Sequence, residues 1–208
     1  MISIYQLKPA FQNLLRPLVR TLVACGVSAN AVTLFAGAVS LLLGGVLYFT
    51  GEEARRLFLL VPIWMFLRMA LNAVDGMLAR EFGQKTPLGA YLNELSDVVS
   101  DAALYLPFVF VRPFGWPAIG AIIVLSAVSE MAGALGPMIG APRRYDGPMG
   151  KSDRAFVFGA LGLWVGLGHA LPHWVFWGVG IAVPLSIMLN IINRIRSGVA
   201  AVSKDKIK

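Results

Sequence analysis

Residues 31–50 run without a single charge, and predominantly apolar runs recur at 57–79, 88–111, 118–139, 156–170 and 174–192. Crossing a bilayer as a helix takes about 20 apolar residues, so the pattern predicts six transmembrane helices, the fifth being short and Gly-rich. The breaks at 112–117, 140–154 and 171–173 carry the Pro and Gly expected of turns. Ahead of these runs, Phe11, Leu14, Leu15, Leu18, Val19, Leu22 and Val23 share one helical face, with Gln12, Asn13, Arg16 and Arg20 opposite. Such a helix either lies in the membrane interface or packs on the protein's own flank; the interfacial placement is the expectation. Gly26 ends it, and Ser28 or Asn30 can cap the next helix. The predicted layout is an N-terminal amphipathic juxtamembrane helix over residues 1–25, a six-helix membrane domain over 26–198, and a basic tail over 199–208. Residues 1–25 lack the features of a signal peptide and are expected to be retained.

Composition agrees with an all-α integral membrane protein. The 208 residues are 57% hydrophobic and 14% charged, with a mean hydropathy of +0.72, too apolar for a soluble domain. Cys25 is the only cysteine, so no intramolecular disulfide forms. The net charge of +7 is spread over loops and helix ends, which argues for topology and anionic headgroups and against nucleic acid. Alternating the spans puts Lys8, Arg16, Arg20, Arg80, Lys85, Arg143, Arg144, Lys151, Arg154, Arg194, Arg196, Lys204, Lys206 and Lys208 on one side, and Arg55, Arg56 and Arg112 on the other. Both termini are then cytoplasmic.

Within these apolar runs sits a costly exception. Arg68, Asn72, Asp75, Gly76 and Ala79 fall within roughly a third of a helix circumference, and Gly89, Asn93, Asp97 and Asp101 recur at every fourth residue after a short break. Ionisable groups at bilayer depth face a cavity or a partner. Two antiparallel helices joined by so short a loop are expected to be neighbours, so the stripes can converge oxygens on one point. Hard oxygen donors suit Mg2+ or Mn2+, and with it a phosphate-bearing substrate.

The segment N-x-x-D-G-x-x-A-R, eight residues, then G-x-x-x-N-x-x-x-D resembles the signature of the CDP-alcohol phosphotransferase (CDP-alcohol phosphatidyltransferase) family, in which both Asn positions are Asp. Asp75, Gly76, Ala79, Arg80, Gly89 and Asp97 match at full spacing. The resemblance implies a homodimer in the membrane, in a bacterial setting the inner or plasma membrane. It also implies transfer of a phosphatidyl group from CDP-diacylglycerol to an alcohol acceptor with release of CMP, a step of phospholipid biosynthesis. By the same resemblance Asn72, Asp75, Asn93 and Asp97 hold metal, and Asp97 is the general base. Asp101, one helical turn past the motif, or Glu94 can restore some of the charge missing at the two Asn positions; Asp101 can instead hold Arg68 or Ser129 behind the metal. Gly76, Ala79, Arg80 and Gly89 are expected at the nucleotide. The A-N-x-x-T segment resembles the P-N-x-x-T entry to the family's first span, adding Asn30 and Thr33 to that set. An amide oxygen ligates Mg2+ without bringing charge, so Asn72 and Asn93 set this chain apart.

The stretch 143–154 concentrates Arg143, Arg144, Lys151 and Arg154 with Gly and Pro before the fifth span. It reads as an acceptor or phosphate-binding loop, or as a plain positive-inside loop; Gly150-Lys151 resembles a segment that family members carry near the acceptor. Glu130 requires a partner, with Arg68 and Arg143 as candidates. His169 and His173 flank a turn on the far side with no third ligand nearby. Gly37 with Gly44 and Gly45, and Gly159 with Gly162 and Gly166, read as close helix contacts or a dimer seam. Two other classes compete with the enzyme: an ion- or proton-coupled transporter using the same buried charges, and a catalytically weakened relative that binds nucleotide or lipid.

Overall fold

The computed structural model describes residues 4–205, and these form seven α-helices with short 3-10 and π segments between them. Lys206 and Lys208 of the expected basic tail lie outside the described residues. Helix α1 (Ile4–Ala24) closes at Gly26, whose φ of 71° suits a residue without Cβ. Helix α2 (Ala29–Thr50) is capped by Ser28, whose hydroxyl accepts from Ala31 N. A 3-10 segment (Gly51–Leu59) leads into α3 (Leu60–Glu81). Helix α4 (Pro87–Tyr105) starts with the Thr86 hydroxyl accepting from Gly89 N and with Pro87 in its first turn. Helices α5 (Trp116–Ala134), α6 (Lys151–Gly166) and α7 (Val183–Asp205) complete the set.

Four stretches are long and apolar enough to cross a membrane: Ala29–Thr50, Glu53–Glu81, Trp116–Ile139 and Phe176–Ser203. The other two predicted spans fall short for different reasons. Helix α4 carries Glu94, Asp97 and Asp101 and gives way to a 3-10 segment (Leu106–Phe110) at Pro107, which has no N–H to continue the ladder. Helix α6 has only 16 residues, and it begins at Lys151 rather than at Phe156. Lys151 and Arg154, expected in a loop, therefore stand on its first turn. The last helix follows a π segment (Phe176–Ala182) directly ahead of Pro184 and extends through Asp205, so residues 199–205 of the expected tail are helical.

Helix α1 packs on the protein itself. Leu15, Val19, Leu22 and Val23 meet Val74, Met77 and Leu78 of α3, Phe11 sits edge-on to Phe66, and Arg16 Nη1 lies 3.1 Å from Glu81 Oε2. Leu14 and Leu18 face outward, 74% and 48% exposed.

The expectation that α3 and α4 are neighbours holds for their side chains but not for their backbones. Helices α3 and α4, despite their short connection, hardly touch through their backbones; α2 packs against both, and α6 packs against α3. The Gly residues account for this arrangement. At Gly37 a Cβ would stand 2.7 Å from Ser96 Oγ, and at Gly44 it would run into the Ala103 backbone, so α2 approaches α4 closely only through glycine. Gly162 and Gly166 admit Val61 and Leu59 in the same way. These contacts lie within one chain, while Gly45 has open space in front of it. A gap is left between α3 and α4 towards the end that holds the 82–86 and 140–150 loops. The opposite half of the bundle is an apolar core around Phe58, Tyr105, Phe108 and Phe158.

Candidate active site in the gap between α3 and α4

The two polar stripes face each other across this gap and are joined by long side chains instead of backbone packing. Arg68 of α3 donates from Nη1 to Asp101 Oδ1, and from Nη2 to the Asp97 carbonyl at 3.0 Å and to Asp97 Oδ1 at 3.3 Å. Asn72 Nδ2 lies 3.4 Å from the same Oδ1, and Lys151 Nζ from α6 forms an ion pair with it. Asp97 thus gathers an amide, a guanidinium and an ammonium. Asp75, one turn along α3, is buried and accepts from Thr33 Oγ1 of α2 at 2.7 Å. Asn93 stands half-buried on the α4 face that carries Asp97.

Behind this front lies a buried ionic network that ties five helices together. Arg154, fully buried, donates from Nη2 to Asp101 Oδ2 at 3.1 Å and to Glu130 Oε1 at 3.0 Å, and from Nη1 to the Met149 carbonyl at 3.2 Å. Glu130 also pairs with Arg143 at 3.3 Å and with Arg194 of α7 at 3.5 Å. Of its two expected partners Arg143 is therefore found, whereas Arg68 is held by Asp97 and Asp101. Carboxylates buried beside several guanidiniums avoid the cost of an unpaired charge. Asp101, expected at the metal, has both carboxylate oxygens taken by Arg68 and Arg154.

Arg143 also pairs with Glu94 of α4 and sits 5.1 Å from the Tyr145 ring centroid, so this loop residue closes over the α4–α5 side of the gap. Burial lowers the pKa of its guanidinium from the ordinary value. Arg144 turns away, donating to Asp146 at 2.8 and 3.0 Å and holding that carboxyl below its usual range. Asn190 of α7 fastens the loop by donating to the Pro148 carbonyl at 2.8 Å while accepting from Ser129 Oγ.

The residues expected at the nucleotide divide in two. A Cβ on Gly89 would stand 2.6 Å from Asn30 Oδ1, and one on Gly76 would stand 2.6 Å from Arg80 Nη2, so the two glycines let the Asn30 and Arg80 side chains lie against the helices. Thr33 and Ala79 face elsewhere, Thr33 to Asp75 and Ala79 to the α1 contact. Sequence reasoning missed Asn190 and the inward pairing of Arg194, whose partners are far along the chain; a charged residue within an apolar helix, as at Arg194, was the only available signal. Among the described residues no group of three or more His, Cys, Asp or Glu side chains is arranged to hold a metal.

The model of one protein family, described as CDP-alcohol phosphatidyltransferase, matches residues 26–183. The chain is 46% identical over 198 residues to the Inner membrane protein YnbA of Escherichia coli (strain K12), covering 94% of this chain and 96% of that protein. It is 28% identical over 192 residues to a phosphatidylinositol phosphate synthase of Streptomyces avermitilis, covering 88% and 72%. Its fold is similar to the crystal structure of Mycobacterium tuberculosis phosphatidylinositol phosphate synthase with CDP-DAG bound, with a TM-score of 0.57, 19% identity and 90% of each chain covered.

Proposed function

Because this chain belongs to the CDP-alcohol phosphatidyltransferase family and is thus a phosphotransferase, we propose that it transfers the phosphatidyl group of CDP-diacylglycerol to the hydroxyl of an alcohol acceptor in a metal-dependent reaction that releases CMP. The observation that carries this reading is the pairing of Asn72 with Asp97 across the gap, with Asp75 one turn further along α3 and the polar side chains of Arg80 and Asn30 laid against Gly76 and Gly89.

The donor set fits a magnesium or manganese ion. Asp75, Asp97, Asn72 and Asn93 offer hard oxygens, and a half-turn of either amide exchanges its nitrogen for its oxygen. The Lys151 ammonium on Asp97 Oδ1 marks a point that already attracts a cation. When bound, the metal supplies charge against the diphosphate. Asp101 is assigned to holding Arg68 and Arg154, so the set relies on two carboxylates.

The side chains divide the remaining work. Arg80, beside Gly76, pairs with a nucleotide phosphate, and Asn30 and Gly89 line the nucleotide site. Thr33 orients Asp75 through its hydroxyl. Asp97 takes the proton of the acceptor hydroxyl, with Arg68 fixing both its carbonyl and its carboxylate. Lys151, Arg143 and Arg154 form the wall behind the acceptor, while Arg144 braces the loop through Asp146.

In this reading the six helices α2–α7 cross a bacterial inner membrane with both termini cytoplasmic. The exposed Leu14 and Leu18 of α1 rest in the interface, and CDP-diacylglycerol enters from the leaflet. A homodimer would use an apolar face such as the groove lined by Leu42, Val46, Ile63 and Leu67 between α2 and α3.

The test is CMP release from CDP-diacylglycerol by the purified protein, with Mg2+ or Mn2+ added or chelated and a panel of alcohols as acceptors. Mass spectrometry of the lipid product identifies the acceptor. Nucleotide binding without CMP release under every metal and acceptor would favour the weakened relative, a reading to which Asn72 and Asn93 lend support.

A further inference from the structure

At the end of the bundle opposite the ionic gap, three chain segments far apart in sequence surround a cavity of about 580 Å³ lined by Gly51, Arg55, Phe110, Arg112, Ala170 and Leu171. We propose that this cavity binds a phosphate ester, in the first instance the headgroup of an anionic phospholipid of the leaflet on that side.

The charge placement is the first reason. Lys and Arg are disfavoured on this side of a membrane protein, and the alternating topology puts only Arg55, Arg56 and Arg112 there. Two of these three converge on one cavity from different loops, which chance placement on a polar rim does not require.

The second reason is an unmet hydrogen-bonding need. Arg55 Nε is buried and has no acceptor, and among the described residues Arg112 is in no ion pair. A buried donor without an acceptor is costly, and an anion seated between two guanidiniums would satisfy it. The planar fork of arginine suits phosphate oxygens in pairs.

Shape is the third. Gly51, at φ 54° with nothing within 4 Å of a Cβ built on it, and the small Ala170 keep the cavity open. Phe110 and Leu171 supply an apolar wall on which the glycerol end of a lipid can lie. The volume is in the range of small-ligand pockets, about 300–1,000 Å³. This site is separate from the α3–α4 gap, so it stands or falls independently of the transferase reading.

Native mass spectrometry of the full-length protein in detergent, titrated with phosphatidylglycerol, phosphatidylcholine or inorganic phosphate, tests the proposal. The wild type should retain phosphatidylglycerol in preference to phosphatidylcholine, and Arg55→Gln/Arg112→Gln should weaken that binding at least tenfold. Arg56→Gln, next to the cavity in sequence but not lining it, should bind as wild type does. Arg112→Gln alone, changing an exposed side chain, provides a variant that keeps its fold if the double variant does not. Inorganic phosphate binding that is lost in the same variants, with no lipid preference, would identify a soluble phosphate ester as the ligand. Equal phosphatidylglycerol and phosphate binding by the wild type and both cavity variants would overturn the proposal.

Discussion

Arg154 Nη2 stands 3.0 Å from Glu130 Oε1 and 3.1 Å from Asp101 Oδ2, with Arg154 itself fully buried. One guanidinium thereby fastens α6 to both α4 and α5, next to the loop that closes over the gap. Removing one member of a buried ion pair leaves the other charge unpaired and costs about 3–5 kcal/mol. Arg154→Met should therefore unfold at clearly lower temperature in detergent, and Glu130→Gln should do the same, because three arginines converge on Glu130. Arg143→Gln should cost less, since the pairing of Glu130 with Arg154 and Arg194 survives. Thermal unfolding followed by circular dichroism checks the ranking.

Asp75→Asn and Asp97→Asn should each abolish CMP release while leaving the protein folded, as each removes one of the two carboxylates at the front of the gap. Size-exclusion elution and unfolding temperature separate loss of chemistry from loss of fold. Near-normal turnover in either variant would remove the metal reading.

Asp101→Asn should act differently. With both of its oxygens engaged by Arg68 and Arg154, the substitution should lower stability by roughly 3 kcal/mol or more and leave the midpoint of the Mg2+ titration unchanged. Asn93→Asp adds a carboxylate on the metal side and should shift that midpoint to lower concentration. The double variant should show the two effects added, since separate sites do not couple. Recovery beyond addition would mean that Asp101 shares the ion.

Lys151→Ala and Arg143→Ala should raise the KM of the acceptor more than that of CDP-diacylglycerol, because both side chains stand on the Asp97 and Glu94 side of the gap. Steady-state kinetics with each substrate varied in turn decides the matter. Equal effects on both substrates would point to loop folding, and no effect would leave the basic loop a topological signal only.

Thr33→Val should reduce kcat by about tenfold with little change in either KM, since it deletes the hydroxyl that orients Asp75 but keeps the shape. Thr33→Ser should restore most of the rate, which a purely steric role for Thr33 would not predict.

What the sequence determined by itself was local. The apolar runs with their Pro and Gly breaks specified helices, since a chain in lipid must satisfy every backbone group internally, and the spacing from Asn72 to Asp97 specified two polar stripes and the family. Helix edges were less legible: Lys151 and Arg154 read as loop because basic residues near Gly and Pro look like a turn, yet both lie on the first turn of α6. Which stripe meets which partner was decided only in three dimensions. The short connection argued that α3 and α4 pack side by side, but close approach depends on surface shape, and the glycines of α2 drew α4 onto α2 instead, leaving a gap for side chains to bridge. The partners of Glu130 come from α6, α7 and the loop before α6, separations over which no periodicity carries information, so the sequence offered Arg143 only alongside Arg68, and the folded bundle kept Arg143, removed Arg68 and added Arg154 and Arg194.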